Sequence, residues 1–206
     1  GSFSPIHSGH IALLVEVKNY LESKHNYEVI GAYLVLSTDR YVAGKLSVHG
    51  MKYETRKQIC DIAVADYKWI HASHIATANA GYYGEIITRK QEYEKFFNAQ
   101  NGNELNAKQV EKLVRIECMG ADKFADNKQL IQWLAKYTDA TSKYCCIGRQ
   151  GHTQELVQYY NECVKDGSVK VDSFYFLDDE VPDVSSTMIR EYLLKILQAD
   201  MHEKDG

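Results

Sequence analysis

Apolar residues along this chain follow two alternating rhythms. The first is a short unbroken run rich in β-branched residues. The sharpest examples are residues 29–36 (VIGAYLVL), 114–119 (VRIECM), 144–147 (YCCI) and 171–177 (VDSFYFL). Such runs suit strands buried on both faces, as in a parallel sheet. The second rhythm places apolar residues three to four positions apart, which predicts helices over residues 11–23, 52–67, 85–97, 128–136, 153–165 and 185–198. Ile11, Leu14, Val15 and Leu21 share one face of the first helix, and Ile59, Ile62 and Ala63 are expected inward on the second. A short strand is expected at 69–71. Residues 37–51 and 72–84 read as turns and loop, and the polar stretch 99–106 reads as a disordered insertion.

Strands alternating with helices through short connections predict an α/β fold, a Rossmann-like parallel sheet with helices on both faces. The 206 residues suit one domain. Ligands of such folds sit beyond the carboxyl ends of the strands, so chemistry is expected where a strand hands over to a helix.

Composition narrows the function classes. The net charge of −4 speaks against a protein whose main partner is a nucleic-acid backbone, and leaves room for a local basic pocket. Cys60, Cys118, Cys145, Cys146 and Cys163 show no CxxC spacing. They read as reduced core residues of an intracellular protein, in cytoplasm or nucleus. No apolar stretch approaches membrane-spanning length, so no membrane partner is expected.

Candidate chemistry concentrates at residues 1–10 (GSFSPIHSGH), just before the first helix. Small Gly1 and Ser2 let backbone N–H groups approach a ligand. His7 and His10, three apart, place two imidazoles on one side of the first helical turn. Gly9 leaves room for a bulky group, and the helix start adds free N–H donors and partial positive charge. Together these make an anion site. A pair of histidines that merely flank a helix is the plainer alternative; a zinc site lacks a third ligand. Near the other end, Ser185, Ser186 and Thr187 stand where a helix begins, able to cap it or to hold phosphate. Arg190, a turn later, can fork onto phosphate oxygens, or simply face solvent.

Residues 1–10 resemble the signature of the HxGH nucleotidyltransferases, and residues 184–190 (VSSTMIR) are similar to that family's late Ile-Ser-Ser-Thr-x-x-Arg motif. The resemblance implies that His7, His10 and Arg190, with Lys45, act on the ATP phosphates. It further implies that Gly1, Ser2, Phe3, Gly9, Gly148, Arg149, Ser185, Ser186 and Thr187 line the ATP site. Gly120-Ala121-Asp122 with Trp133 looks like the corresponding stretch of nicotinamide mononucleotide adenylyltransferases. It implies mononucleotide contacts from Gly120, Asp122 and Trp133, the indole stacking on the pyridine ring; a core role for Trp133 is the alternative. Arg56 is placed by the resemblance at the loop or the mononucleotide; a solvated surface charge is its plainer reading.

The implied partners are ATP and a nicotinamide or nicotinate mononucleotide, with Mg²⁺ arriving on ATP and no metal held by the protein. A homo-oligomer stays open. A cytidylyltransferase, a pantetheine-phosphate adenylyltransferase and a non-catalytic nucleotide-binding regulator remain alternatives. Two departures from the pattern stand out. The family has a strand before the opening Gly-Ser-Phe, expected here upstream of Gly1, and an aromatic after the strand at 69–71, where residues 72–84 offer only Tyr82 and Tyr83.

Overall fold

A computed structural model describes residues 1–72, 113–125, 127–148, 152–177 and 184–204. The helix expected at 85–97 and the insertion at 99–106 lie outside the described residues, as do Tyr82, Tyr83 and Arg149. The described elements are α1 (Ser8–His25), β1 (Ala32–Leu34), α2 (Asp39–Leu46), a 3₁₀ turn (Ser47–His49), α3 (Tyr53–Ala63), β2 (Ile70–Ala72), β3 (Arg115–Gly120), α4 (Asp122–Ala125), α5 (Leu130–Ala135), β4 (Ser142–Ile147), α6 (His152–Lys165), β5 (Phe174–Leu177) and α7 (Ser186–Lys204). Among the described residues every strand pairing is parallel and the strands are flanked by helices, the expected Rossmann-like α/β class. The chain divides into two compact units, residues 1–12, 29–79 and 182–206 in one and residues 13–28 and 80–181 in the other.

In the first unit β1 pairs with β2, Ala32 opposite Ile70 and Leu34 opposite Ala72. Leu34 and Leu36, and Ile70 and Ala72, are buried, two apart and so on one face of each strand; the alternate residues Tyr33, Val35 and His71 are only part-buried, short of the burial on both faces expected from sequence. Two expectations are corrected here. Residues 37–51 hold a helix, α2, because the Thr38 hydroxyl accepts the Tyr41 N–H at 3.3 Å and caps it, with Asp39 in its first turn. Ile62 is not inward; it is 77% exposed. The buried stripe of α3 runs instead through Arg56 and Cys60 to Val64, four residues apart, so an arginine occupies a core position.

In the second unit the sheet order is β3-β4-β5. Tyr144 stacks on Phe174 at 5.1 Å, and Phe124 meets the same ring edge-on at 6.4 Å. Ile131, Leu134, Leu156 and Cys163 close this core from α5 and α6. Trp133 does not belong to it: the residue is 40% exposed, with Tyr137 edge-on at 5.0 Å. All five cysteines are free. Loss of solvent, then the neighbouring Asp61, pushes the Cys60 thiol up to about 11. Desolvation likewise raises Cys118 and Cys146, each to about 12, with Glu117 and Asp122 adding to it, and raises Cys145 further still. Among the described residues no helix is long and apolar enough to cross a membrane.

Candidate active site

The opening loop is built so that its carbonyl edge faces protein. Gly1 O accepts the Ser37 N–H at 2.8 Å. Ser2 O accepts from Arg56 Nη1 at 2.9 Å, Ser4 O from Arg190 Nη1 at 2.6 Å, and Pro5 O from Ser186 Oγ at 2.8 Å. Ser4 is fully buried, its Oγ accepting the Met51 N–H at 3.1 Å, and the Ser4–Pro5 peptide is cis. Phe3 has a φ of 43°, a left-handed conformation rare for a bulky side chain. Two guanidinium groups thus cover the negative ends of the loop's peptide dipoles. Among the described residues, no acceptor is taken by the N–H groups of Ser2, Phe3 or Ser4.

His7 immediately precedes α1, and His10 lies in its first turn. Their ring centroids are 3.7 Å apart, so the three-residue spacing does place both imidazoles on one side. The His7 backbone N–H donates to His10 Nδ1 at 3.2 Å. That bond makes Nδ1 the acceptor, so in the neutral ring Nε2 carries the proton. The Phe3 ring meets His10 edge-on at 4.9 Å. His7 is 8% exposed, and His10 is partly exposed. Two imidazoles, the first N–H groups of a long helix and the part-exposed residues Ser2 and Phe3 form an arrangement able to hold an anion.

The late segment divides its labour. Ser185 Oγ accepts the Met188 N–H at 3.2 Å and caps α7, the plain capping role. Ser186 reaches the loop through Pro5 O. Thr187 Oγ1 accepts from Arg190 Nη2 at 2.9 Å and so aims the guanidinium at the loop. Segments some 180 residues apart in the chain therefore meet, and Arg190 is not a solvated helix face.

Arg56 needs a further correction. Its side chain is 0% exposed, so it neither faces solvent nor offers a surface to a mononucleotide. Besides Ser2 O, it donates from Nε to Met51 O at 2.9 Å and from Nη2 to Ser37 O at 2.8 Å and Asp39 Oδ1 at 3.0 Å. Of the alternatives read from sequence, a hold on the loop is the one its bonds supply. Lys45 is exposed in the last turn of α2, and among the described residues no bond ties it to the loop. Sequence reasoning passed over Ser4 and Met51, because the backbone carbonyls that meet Arg190 and Arg56 leave no trace in residue identity, and over Asp39, whose carboxylate pairs with Arg56 from 17 residues away.

The remaining candidates belong to the second unit. Gly120 ends β3, and buried Gly148 follows β4, its N–H donating to Leu177 O at 2.8 Å. Asp122 opens α4 and is exposed. Gly120, Asp122 and Gly148 thus stand at or just after the carboxyl ends of parallel strands, where α/β folds keep their ligands, while exposed Trp133 lies further on, in α5.

No curated protein is similar enough to this chain to count as a match. Residues 1–192 match the cytidylyltransferase-like family. The match covers the histidine loop, every strand and the arginine of α7, and the chain accordingly belongs to the cytidylyltransferase-like family, the HxGH nucleotidyltransferases.

Proposed function

We propose that this nucleotidyltransferase is an adenylyltransferase that joins ATP to nicotinamide or nicotinate mononucleotide, releasing pyrophosphate. The observation that carries the reading is the bonding of Arg190 and Ser186 to the same short loop that bears His7 and His10. A phosphate oxygen of the mononucleotide attacks the α-phosphorus of ATP in line. The new P–O bond forms as the bond to the β-phosphate oxygen breaks, and pyrophosphate leaves with that electron pair. No residue needs to become covalently modified, and Mg²⁺ enters on the ATP phosphates. His10, presenting Nε2–H, donates to an oxygen on which charge develops, with His7 beside it. The amides of Ser2 and Phe3 cradle phosphate, with Gly1 and Gly9 leaving room for it. Arg190 supplies positive charge from the far side of the loop, and Lys45 reaches the leaving pyrophosphate.

The choice of a pyridine mononucleotide rests on Gly120, Asp122 and Trp133. Trp133 is 40% exposed, and an indole is the kind of side chain that stacks on a flat cationic ring. Gly148 and Arg149 are assigned to the adenosine. Five free thiols favour a reducing compartment, cytoplasm or nucleus. The test is pyrophosphate release with paired substrates. ATP with nicotinamide or nicotinate mononucleotide should turn over. Turnover only of CTP with a phosphoalcohol, or of ATP with phosphopantetheine, moves the assignment to those substrates. ATP binding without any turnover makes the chain a nucleotide-binding regulator.

A further inference from the structure

We infer that Arg56 is a positioning residue: fully buried, it holds the orientation of His10 through Ser2 and Phe3, and the placement of the Lys45 helix through Asp39. This deepens the proposed function and rests on it for its kinetic part. The first branch is a short mechanical chain. Arg56 Nη1 fixes Ser2 O, and the next residue, Phe3, is held at a φ of 43°. That conformation lays the Phe3 ring over Gly1, where an added Cβ would come within 2.9 Å of the ring. It also sets the ring edge-on to His10. Gly1 is thus required by close approach, and the ring acts as a stop for the imidazole. The second branch uses Nη2. It bonds Ser37 O and Asp39 Oδ1 together, and Asp39 opens the helix that carries Lys45 in its last turn. Nε, on Met51 O, ties the segment entering α3 to both.

Only arginine fits these demands. A planar guanidinium carries five N–H donors in fixed directions, and here three separate carbonyls and one carboxylate are met at once. Lysine keeps the charge but is a point donor on a flexible stem, unable to span Ser2, Ser37 and Met51 together. Full burial also keeps the fork from being exchanged with water, so the geometry it imposes is constant.

The test compares Arg56→Lys and Asp39→Ala with wild type in the full chain. Circular dichroism and the melting midpoint report folding. For Arg56→Lys, kcat for pyrophosphate release should fall roughly 10- to 100-fold while KM for MgATP moves less than about threefold, the mark of lost alignment rather than lost binding. The His10 imidazole should also lose the single Nε2–H signature in its ¹H–¹⁵N spectrum that wild type shows without any substrate. Asp39→Ala, whose side chain is 56% exposed and whose loss spares the core, should leave that spectrum unchanged and lower kcat/KM about three- to tenfold. An Arg56→Lys enzyme with wild-type kcat and an unaltered His10 spectrum, changed only in melting midpoint, overturns the inference. If Arg56→Lys does not fold, Phe3→Leu tests the same branch from its other end, with the same spectral and kinetic outcomes. If wild type releases no pyrophosphate from any pair, the proposed function falls, and the His10 spectra still decide this inference.

Discussion

Single atoms carry the sharpest expectations here. His10 accepts at Nδ1 from the His7 amide, so its useful proton sits on Nε2. His10→Ala should lower kcat by about two orders of magnitude or more, as for loss of one preorganised donor. His10→Gln, whose amide N–H falls near the Nε2 position, should retain more turnover than His10→Asn, whose amide falls near Nδ1; the opposite order argues against an Nε2–H donor. His71 bears on stability. Burial lowers its pKa from 6.5, so the unfolded chain takes up that proton first. Its neutral form is accommodated at higher pH, and stability is lost as pH falls through about 6.5. His71→Gln should flatten that part of the acid limb in a melting-midpoint profile; an unchanged limb assigns the titration elsewhere. The cysteines offer a third check. Desolvation holds Cys60, Cys118, Cys145 and Cys146 as thiols. A thiol reagent at pH 8 should modify buried Cys60, Cys145 and Cys146 only on unfolding, and rapid labelling at those three in the native chain contradicts their burial.

Elements explain what could be read ahead of the structure. β4 was legible because YCCI is apolar throughout and short, and both faces of it are indeed covered. α6 and the start of α7 were legible within a residue from their periodicity and from Ser185, Ser186 and Thr187, while α7 runs on to Lys204, past its expected end at 198. α2 was not, because its Thr38 cap is embedded among turn-forming residues that also favour loops. α3 was found but turned the wrong way. Its core stripe begins with a charged residue, and periodicity reads arginine as surface, so Ile62 was assigned the inward face that Arg56 and Cys60 hold. Both candidate motifs were visible as residue types. Their meeting was visible only by resemblance, since the bonds between them end on backbone carbonyls. At this scale Ser185→Ala should destabilise by about 1 kcal/mol through loss of the α7 cap. Leu156→Ala, at 1% exposure in the α6 interface, should destabilise by roughly 2–5 kcal/mol through its cavity. Denaturant melts measure both, and a Ser185 variant costlier than the Leu156 one would reverse the assignment of cap and core.

For the whole molecule, the account places the phosphate chemistry in a unit assembled from the chain's beginning, its first strands and its last helix. The parallel strands and flanking helices were expected from sequence, and membership of the cytidylyltransferase-like family gives that architecture its reaction class. What the molecule adds is economy of charge. With a net charge of −4, it keeps Arg56 and Arg190 on carbonyls of one loop; the proposed function gives the phosphates to the same loop. The most direct measurement is a crystal structure with Mg²⁺ and a non-hydrolysable ATP analogue. The account predicts the triphosphate within hydrogen-bonding distance of His10 Nε2 and the amides of Ser2 and Phe3, with the Arg190 guanidinium on the same phosphates or on Ser4 behind them. A triphosphate bound elsewhere, with His7 and His10 facing only water, would contradict it.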